Sequence, residues 1–224
     1  MLKFLITLSI SSLLFLSCSD SKKTKPESAQ ETDQLEEKVT EKKEIVRTEY
    51  RLDESRSSMR WIGRKPTGEH RGTINFKMGA LGLENDEAVH SAIVVDMTSI
   101  TCTDIEDDEE NLDLVNHLKN EDFFDVVNFP DAMFSLNVWS ESEDGENKLN
   151  RLNGELEIKG IKEALDIEVV KTMNSDTIQL SGTFTFDRTM YNIKYKSKSI
   201  FPDLGDKFIN DEIEIDFEAW FYKM

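Results

Sequence analysis

The chain has 224 residues, room for one large domain or two small ones. Hydrophobic residues make up 38% and charged residues 32%, which suits a soluble globular protein better than one that spans a membrane. The 45 acids against 27 bases give a formal charge of -18, which argues against a surface built for nucleic acid or a basic patch for anionic lipid headgroups, and two cysteines exclude a disulfide-rich scaffold.

The chain opens with Lys3 and an apolar stretch from Phe4 to Leu16, the length of a signal-peptide core and short for a bilayer crossing. It ends in Phe15-Leu16-Ser17-Cys18, which resembles the lipobox of bacterial lipoproteins apart from Phe15 at the usual leucine position. The resemblance implies that residues 1–17 are removed and that Cys18 is lipidated and becomes the mature N-terminus. It places the protein in the bacterial cell envelope, lipid-anchored on a periplasmic, outer-membrane or surface face, and Ser19 is compatible with outer-membrane sorting. The plainer alternative is a secretory signal with an incidental cysteine. Acylation of Cys18 would leave Cys102 without an intramolecular partner, and Cys102 then reads as a small buried hydrophobe.

Residues 18–48 form a charged, flexible linker. Between Ser19 and Thr48 seven bases face eight acids, a sum of -1, with few large apolar side chains. Such a stretch cannot bury enough apolar area to offset the entropy of ordering it. It reads as a spacer holding a domain of residues 49–224 away from a bilayer.

That domain alternates with period two. Short strands are expected over Glu49 to Leu52, Met59 to Ile62 and Ala88 to Met97. Ile74, Phe76 and Met78 share one face. Ala132, Phe134, Leu136 and Val138 share another, and the pattern recurs in Leu152, Gly154, Leu156 and Ile158, in Leu165, Ile167 and Val169, and in Ile178 to Phe186. It is clearest in Ile213, Ile215, Phe217, Ala219 and Phe221. Asp144-Gly145 and Lys159-Gly160 are turn signals. About eight antiparallel strands with one apolar face close most economically into a barrel, which removes exposed edges and leaves an interior either filled or wide enough for a slender ligand. Glu109 to Lys119 breaks the pattern with helical spacing of Leu112, Val115 and Leu118, and the acids at its start fit capping. Asp104, Glu106 and Asp108 alternate as in a calcium loop, but the glycine and terminal glutamate that such a loop needs are out of register, so no metal is expected.

His117 to Asp125, followed by Asn128-Phe129-Pro130-Asp131-Ala132-Met133-Phe134, resembles the central signature of the YceI-like domain family. Val95-Asp96-Met97-Thr98-Ser99-Ile100, Gly154 to Gly160 and Phe186-Asp187-Arg188 resemble further parts of that pattern. In Tyr191-Asn192-Ile193-Lys194-Tyr195, Asn192 stands where the family usually has glycine, as suits a left-handed backbone. The resemblance covers about Glu49 to Met224. It implies a mainly β, antiparallel lipocalin-like β-barrel of about eight strands with one short helix. It also implies an apolar tunnel for a polyisoprenoid lipid or quinone tail, with no cofactor. The candidate lining is Trp61, Ile74, Phe76, Phe134, Leu136, Leu156, Ile158, Phe184, Phe186, Ile193 and Phe217, with Phe123, Phe124 and Phe129 capping one end. In sequence, a lined tunnel and a packed core look alike. Arg188 beside Asp187 is either a head-group contact at the mouth or half of a local ion pair.

No catalytic constellation is visible. His70, His90 and His117 lack metal-ligand spacing and no glycine-flanked serine elbow occurs. His117, four residues past Asp113, reads as a hydrogen-bonder joining helix to barrel. The expectation is a membrane-tethered lipid-binding protein rather than an enzyme. The rival is a surface-exposed structural or interaction lipoprotein with a solid barrel core and an acidic partner-binding face. Oligomeric state is not legible.

Overall fold

The computed structural model describes residues 45–85, 87–141 and 149–224. The expected signal segment, Cys18, nearly all of the linker and the Asp144-Gly145 turn lie outside the described residues. The first strand already includes Arg47 and Thr48, two residues before Glu49.

Ten strands form one sheet among the described residues. They are β1 (Arg47–Leu52), β2 (Ser58–Lys65), β3 (Gly68–Thr73), β4 (Asn75–Glu84) and β5 (Glu87–Asp96). After the helix α1 (Asp108–Lys119) come β6 (Asp131–Glu141), β7 (Leu149–Ile158), β8 (Ile161–Met173), β9 (Thr177–Asp187) and β10 (Glu212–Lys223). β1 and β2 run one after the other along a single stave, and β3 and β4 along the next. β1 pairs with β4 and β2 with β3, while β10 pairs with β9 on one side and with both β2 and β1 on the other. The result is a closed antiparallel barrel of eight staves with one helix. Closure gives every strand except β3 a strand partner on both sides, which an open sheet with one greasy face could not do.

The alternation of β7, β8, β9 and β10 reads straight onto the barrel, with Leu152, Leu156, Ile158, Ile167, Val169, Ile178, Leu180, Ile215, Ala219 and Phe221 buried. Two strands depart from the sequence reading, each at a β-bulge. β4 gains an extra residue between Phe76 and Met78, so Met78 turns outward and Leu81 and Leu83 take the inner face. β6 does the same between Leu136 and Val138, which exposes Val138 and turns Trp139 toward the core. One inserted residue flips every side chain beyond it, because side chains alternate faces. β3 has no apolar alternation (Gly-Glu-His-Arg-Gly-Thr) and is held by backbone pairing to β2.

Turn chemistry is local. Lys159 and Gly160 both have positive φ, 52° and 72°, in the two-residue loop joining β7 to β8. Asn192 has φ 60°, the left-handed conformation that asparagine tolerates best after glycine. The acid run before α1 is a cap, since the Asp107 carboxylate accepts from the Glu109 and Glu110 amides at 3.1 and 3.0 Å. Leu112, expected on the apolar stripe, is exposed. Asn111 anchors that turn instead by donating to the carbonyls of Cys102 and Ile105.

The lower part of the barrel is solid. Tyr50, Leu52, Leu81, Val169, Ile178, Ala219 and Phe221 are at most 2% exposed and fill it from wall to wall. The helix lies at the opposite end.

Candidate functional site

The upper part of the barrel is hollow. A cavity of about 350 Å³ lies above the filled plug, bounded by the staves down to Leu152, Leu180 and Phe217 and by α1. Its wall is almost wholly carbon. Met59 and Trp61 of β2, Ile93 and Val95 of β5, Leu165 and Ile167 of β8 and Ile213 and Ile215 of β10 contribute. Leu114 and Leu118 of the helix and Phe123 and Phe124 just beyond it close part of the roof.

Of the eleven side chains proposed from sequence, Trp61, Ile74, Phe76, Phe134, Leu156, Ile158, Phe184, Phe186 and Phe217 line this one cavity. Leu136 and Ile193 do not. Leu136 sits just before the β6 bulge and packs against the lower plug. Ile193 is fully buried in the segment after β9, in the same core cluster as the cavity-lining Phe186 and Ile215. Phe129 packs beside Gly160 rather than over the cavity. Sequence reading missed Met59, Ile93, Val95, Leu165, Ile167, Leu180, Ile213 and Ile215, although the alternation had placed several of them on the inner face. Distinguishing upper from lower layers needs the stagger of the strands, which is a property of the closed barrel.

Two glycines make the shape possible. A Cβ on Gly72 would lie 1.8 Å from the Thr101 carbonyl oxygen and 2.7 Å from the Trp61 indole nitrogen. Its absence lets the indole N–H donate to that carbonyl at 3.0 Å, fixing Trp61 at the upper wall. A Cβ on Gly154 would meet the Phe134 ring at 2.5 Å, so the missing side chain leaves that ring its place.

Arg188 is placed differently from the expectation. It is 1% exposed, and its guanidinium donates to the carbonyls of Asn210, Ile193 and Ile209 at 3.0, 2.9 and 3.0 Å. It pairs with Asp211 at 3.4 Å, while Asp187 caps the Thr189 amide instead. The side chain ties the segment after β9 to the segment before β10, and it also lines the cavity. Burial lowers its pKa, against the charges of Asp211 and Asp187. Burial alone would raise the Asp211 carboxyl, but hydrogen bonds from Ser197 and Ser199 and the Arg188 charge outweigh it and hold it below the usual range.

His117 pairs with Asp122 at 3.3 Å rather than with Asp113. It stands edge-on to Phe123 and Tyr195, with ring centroids 5.0 and 4.6 Å away, and so locks the helix to the segment between β9 and β10. His70 Nδ1 lies 2.9 Å from Asp104, which also accepts from the Arg71 amide and the Cys102 thiol. These contacts overcome the burial of Asp104 and keep its pKa low. Tyr191, buried edge-on to Phe186, is pushed up to about 12 by burial and by the charge of Glu163, so it stays neutral at any physiological pH. Among the described residues no group of three or more His, Cys, Asp or Glu could hold a metal ion, and no helix is long and apolar enough to cross a membrane.

An eight-stave barrel carrying a helix over one end and an apolar cavity beneath it can be compared with known proteins. The family model of the YceI-like domain matches residues 50–221. The chain belongs to the YceI-like domain family. The YceI-like fold recurs in solved structures. BcnA of Burkholderia cenocepacia is 20% identical, with a TM-score of 0.58 over 75% of this chain and 98% of that one. A polyisoprenoid binding domain from Saccharophagus degradans, implicated in plant cell wall breakdown, is 14% identical, with a TM-score of 0.54 over 80% and 99%. At these identities the likeness is one of fold. Among curated proteins nothing matches.

Proposed function

We propose that this YceI-like protein is a membrane-tethered lipid-binding protein of the bacterial envelope, holding a polyisoprenoid or isoprenoid quinone chain in the upper cavity of its barrel. The observation that carries the reading is the carbon-lined hollow above a solid plug. An isoprenoid offers no hydrogen bonds, so a site for it needs continuous apolar wall and little else. Each Å² of apolar surface withdrawn from water contributes roughly 25 cal/mol. At about 30 Å³ for each water-sized group, the cavity has room for roughly a dozen non-hydrogen atoms, the bulk of two to three isoprene units. The polyisoprenoid-binding domain of like fold in Saccharophagus degradans supports the choice of ligand class. Binding rather than catalysis is the reading, because the converging groups are hydrophobic. The rival, a solid scaffold, describes only the lower half of the barrel.

Organic extraction of the purified protein followed by mass spectrometry tests the reading. Recovery of a prenyl chain in near-stoichiometric amount is expected. A protein that yields none, and that does not take up an added prenyl chain, is not an isoprenoid carrier. The tether is tested separately. Cys18→Ser should move the protein from the membrane fraction to the soluble fraction, since acyl chains supply about 0.8 kcal/mol per buried methylene. Retention of the variant in washed membranes would reject lipidation at Cys18.

A further inference from the structure

The mouth of the cavity carries a charge opposite to that of the molecule. No aspartate or glutamate is among the side chains lining the cavity, in a chain with 45 of them. Arg188 and His117 line it but are engaged with Asp211 and Asp122, whereas Arg64, Lys65, Lys196 and Lys207 line it with His70 beside them. They come from separate stretches, the end of β2, β3, and the segment between β9 and β10, so only the closed barrel gathers them. Arg64 is partly neutralised by Glu69 at 3.2 Å and Glu214 at 3.0 Å. The three lysines are exposed, and among the described residues none has a carboxylate partner. Lys65 Nζ lies 3.3 Å from His70 Nε2, and Lys196 rests 5.2 Å from the centre of the Tyr195 ring. The Lys196 backbone is held at φ 47°, and its carbonyl accepts from the Ile209 amide at 2.9 Å, which fixes this lysine at the mouth.

A bare hydrocarbon guest gives these cations nothing to do, and the carbonyls of a quinone accept hydrogen bonds but bring no charge to offset the mutual repulsion of the cations. An anion at the rim of a low-dielectric bore would relieve it, and would be held more strongly there than in open water. We propose that the mouth binds a phosphate head on the isoprenoid whose chain fills the cavity, with Lys65, Lys196 and Lys207 as its contacts. This rests on the isoprenoid reading above and adds the head to it. The overall charge of -18 keeps such an anion away from the rest of the surface, so the site is a local exception to the field of the whole molecule.

The test compares farnesyl phosphate, farnesol and inorganic phosphate on the purified protein, with the fluorescence of Trp61 in the cavity wall and calorimetry as readouts. The farnesyl chain, three isoprene units, has about the bulk that the cavity volume admits. Farnesyl phosphate should bind about tenfold tighter than farnesol, about 1.4 kcal/mol, the scale of a few exposed charge pairs acting together. The preference should shrink at high salt. In the triple variant Lys65→Ala, Lys196→Ala, Lys207→Ala the difference between the two should vanish. Equal binding of phosphate and alcohol in the unaltered protein would overturn the head-group assignment while leaving the isoprenoid reading standing. So would a preference that persists in the triple variant. Inorganic phosphate binding as tightly as farnesyl phosphate would make the mouth a free-anion site and also overturn the proposal. Binding of neither prenyl compound would overturn both readings together.

Discussion

Phe184→Asp should cost the domain most of its stability, or leave it folded but unable to retain a prenyl chain. Phe184 faces the cavity from β9 and packs against Phe217 with ring centroids 6.1 Å apart. Removing a ring from such a position costs about 3–5 kcal/mol. A carboxylate put in its place has no partner in a carbon wall, so it adds a desolvation penalty or takes up a proton with a raised pKa. The sum approaches the whole stability of a typical domain, about 5–15 kcal/mol. Urea denaturation read by tryptophan fluorescence measures the loss, and lipid extraction measures retention. Phe184→Leu is the control and should lose only a fraction as much. A Phe184→Asp protein as stable and as lipid-retentive as the unaltered one would mean that Phe184 does not face the interior.

Arg188→Ala should be nearly as damaging for a different reason. The substitution strips three carbonyls, the buried one of Ile193 and the half-buried ones of Ile209 and Asn210, of their donor and leaves Asp211 without its ion partner. Breaking a buried pair by removing one member costs about 3–5 kcal/mol. Arg188→Lys should recover only part of that, because an ammonium cannot reach in all the directions of a guanidinium fork. The segment between β9 and β10, which carries Lys196 and Lys207, should become the first region to open in hydrogen exchange. Acid adds a second handle. Asp211 and Asp104 have folded pKa values below their unfolded ones, near 3.9. The stability they contribute is fully present above that value and is lost as pH falls through the lower folded one. Denaturation midpoints should therefore be flat from neutral pH to about 5 and fall below about 4, with a shallower fall in Arg188→Ala. Identical midpoints at pH 7 for Arg188→Ala and the unaltered chain would show that the guanidinium holds nothing together.

Much of the barrel is legible because period-two alternation is a local signal. β7, β9 and β10 could be assigned face by face from Leu152, Phe184 or Phe217 and their neighbours, and the Lys159-Gly160 turn and the Asp107 cap are equally local. The outward Met78 and Val138 were not legible, since a bulge is one extra residue on one strand and shows only against its partner. Arg188 misleads for a related reason. Its sequence neighbour is Asp187, but its spatial partners come from Asn210, Ile209 and Asp211, more than twenty residues along the chain.

Residue order alone determined a β-rich, acidic domain with a capped helix and the signature of the YceI-like family. Each of these follows from neighbours a few positions apart. Tertiary structure alone decided that the barrel is plugged below and hollow above, because fullness depends on how side chains from eight staves meet across the axis. It also decided that cations from the end of β2 and from the segment between β9 and β10 share one rim, which no count of charges along the chain could reveal.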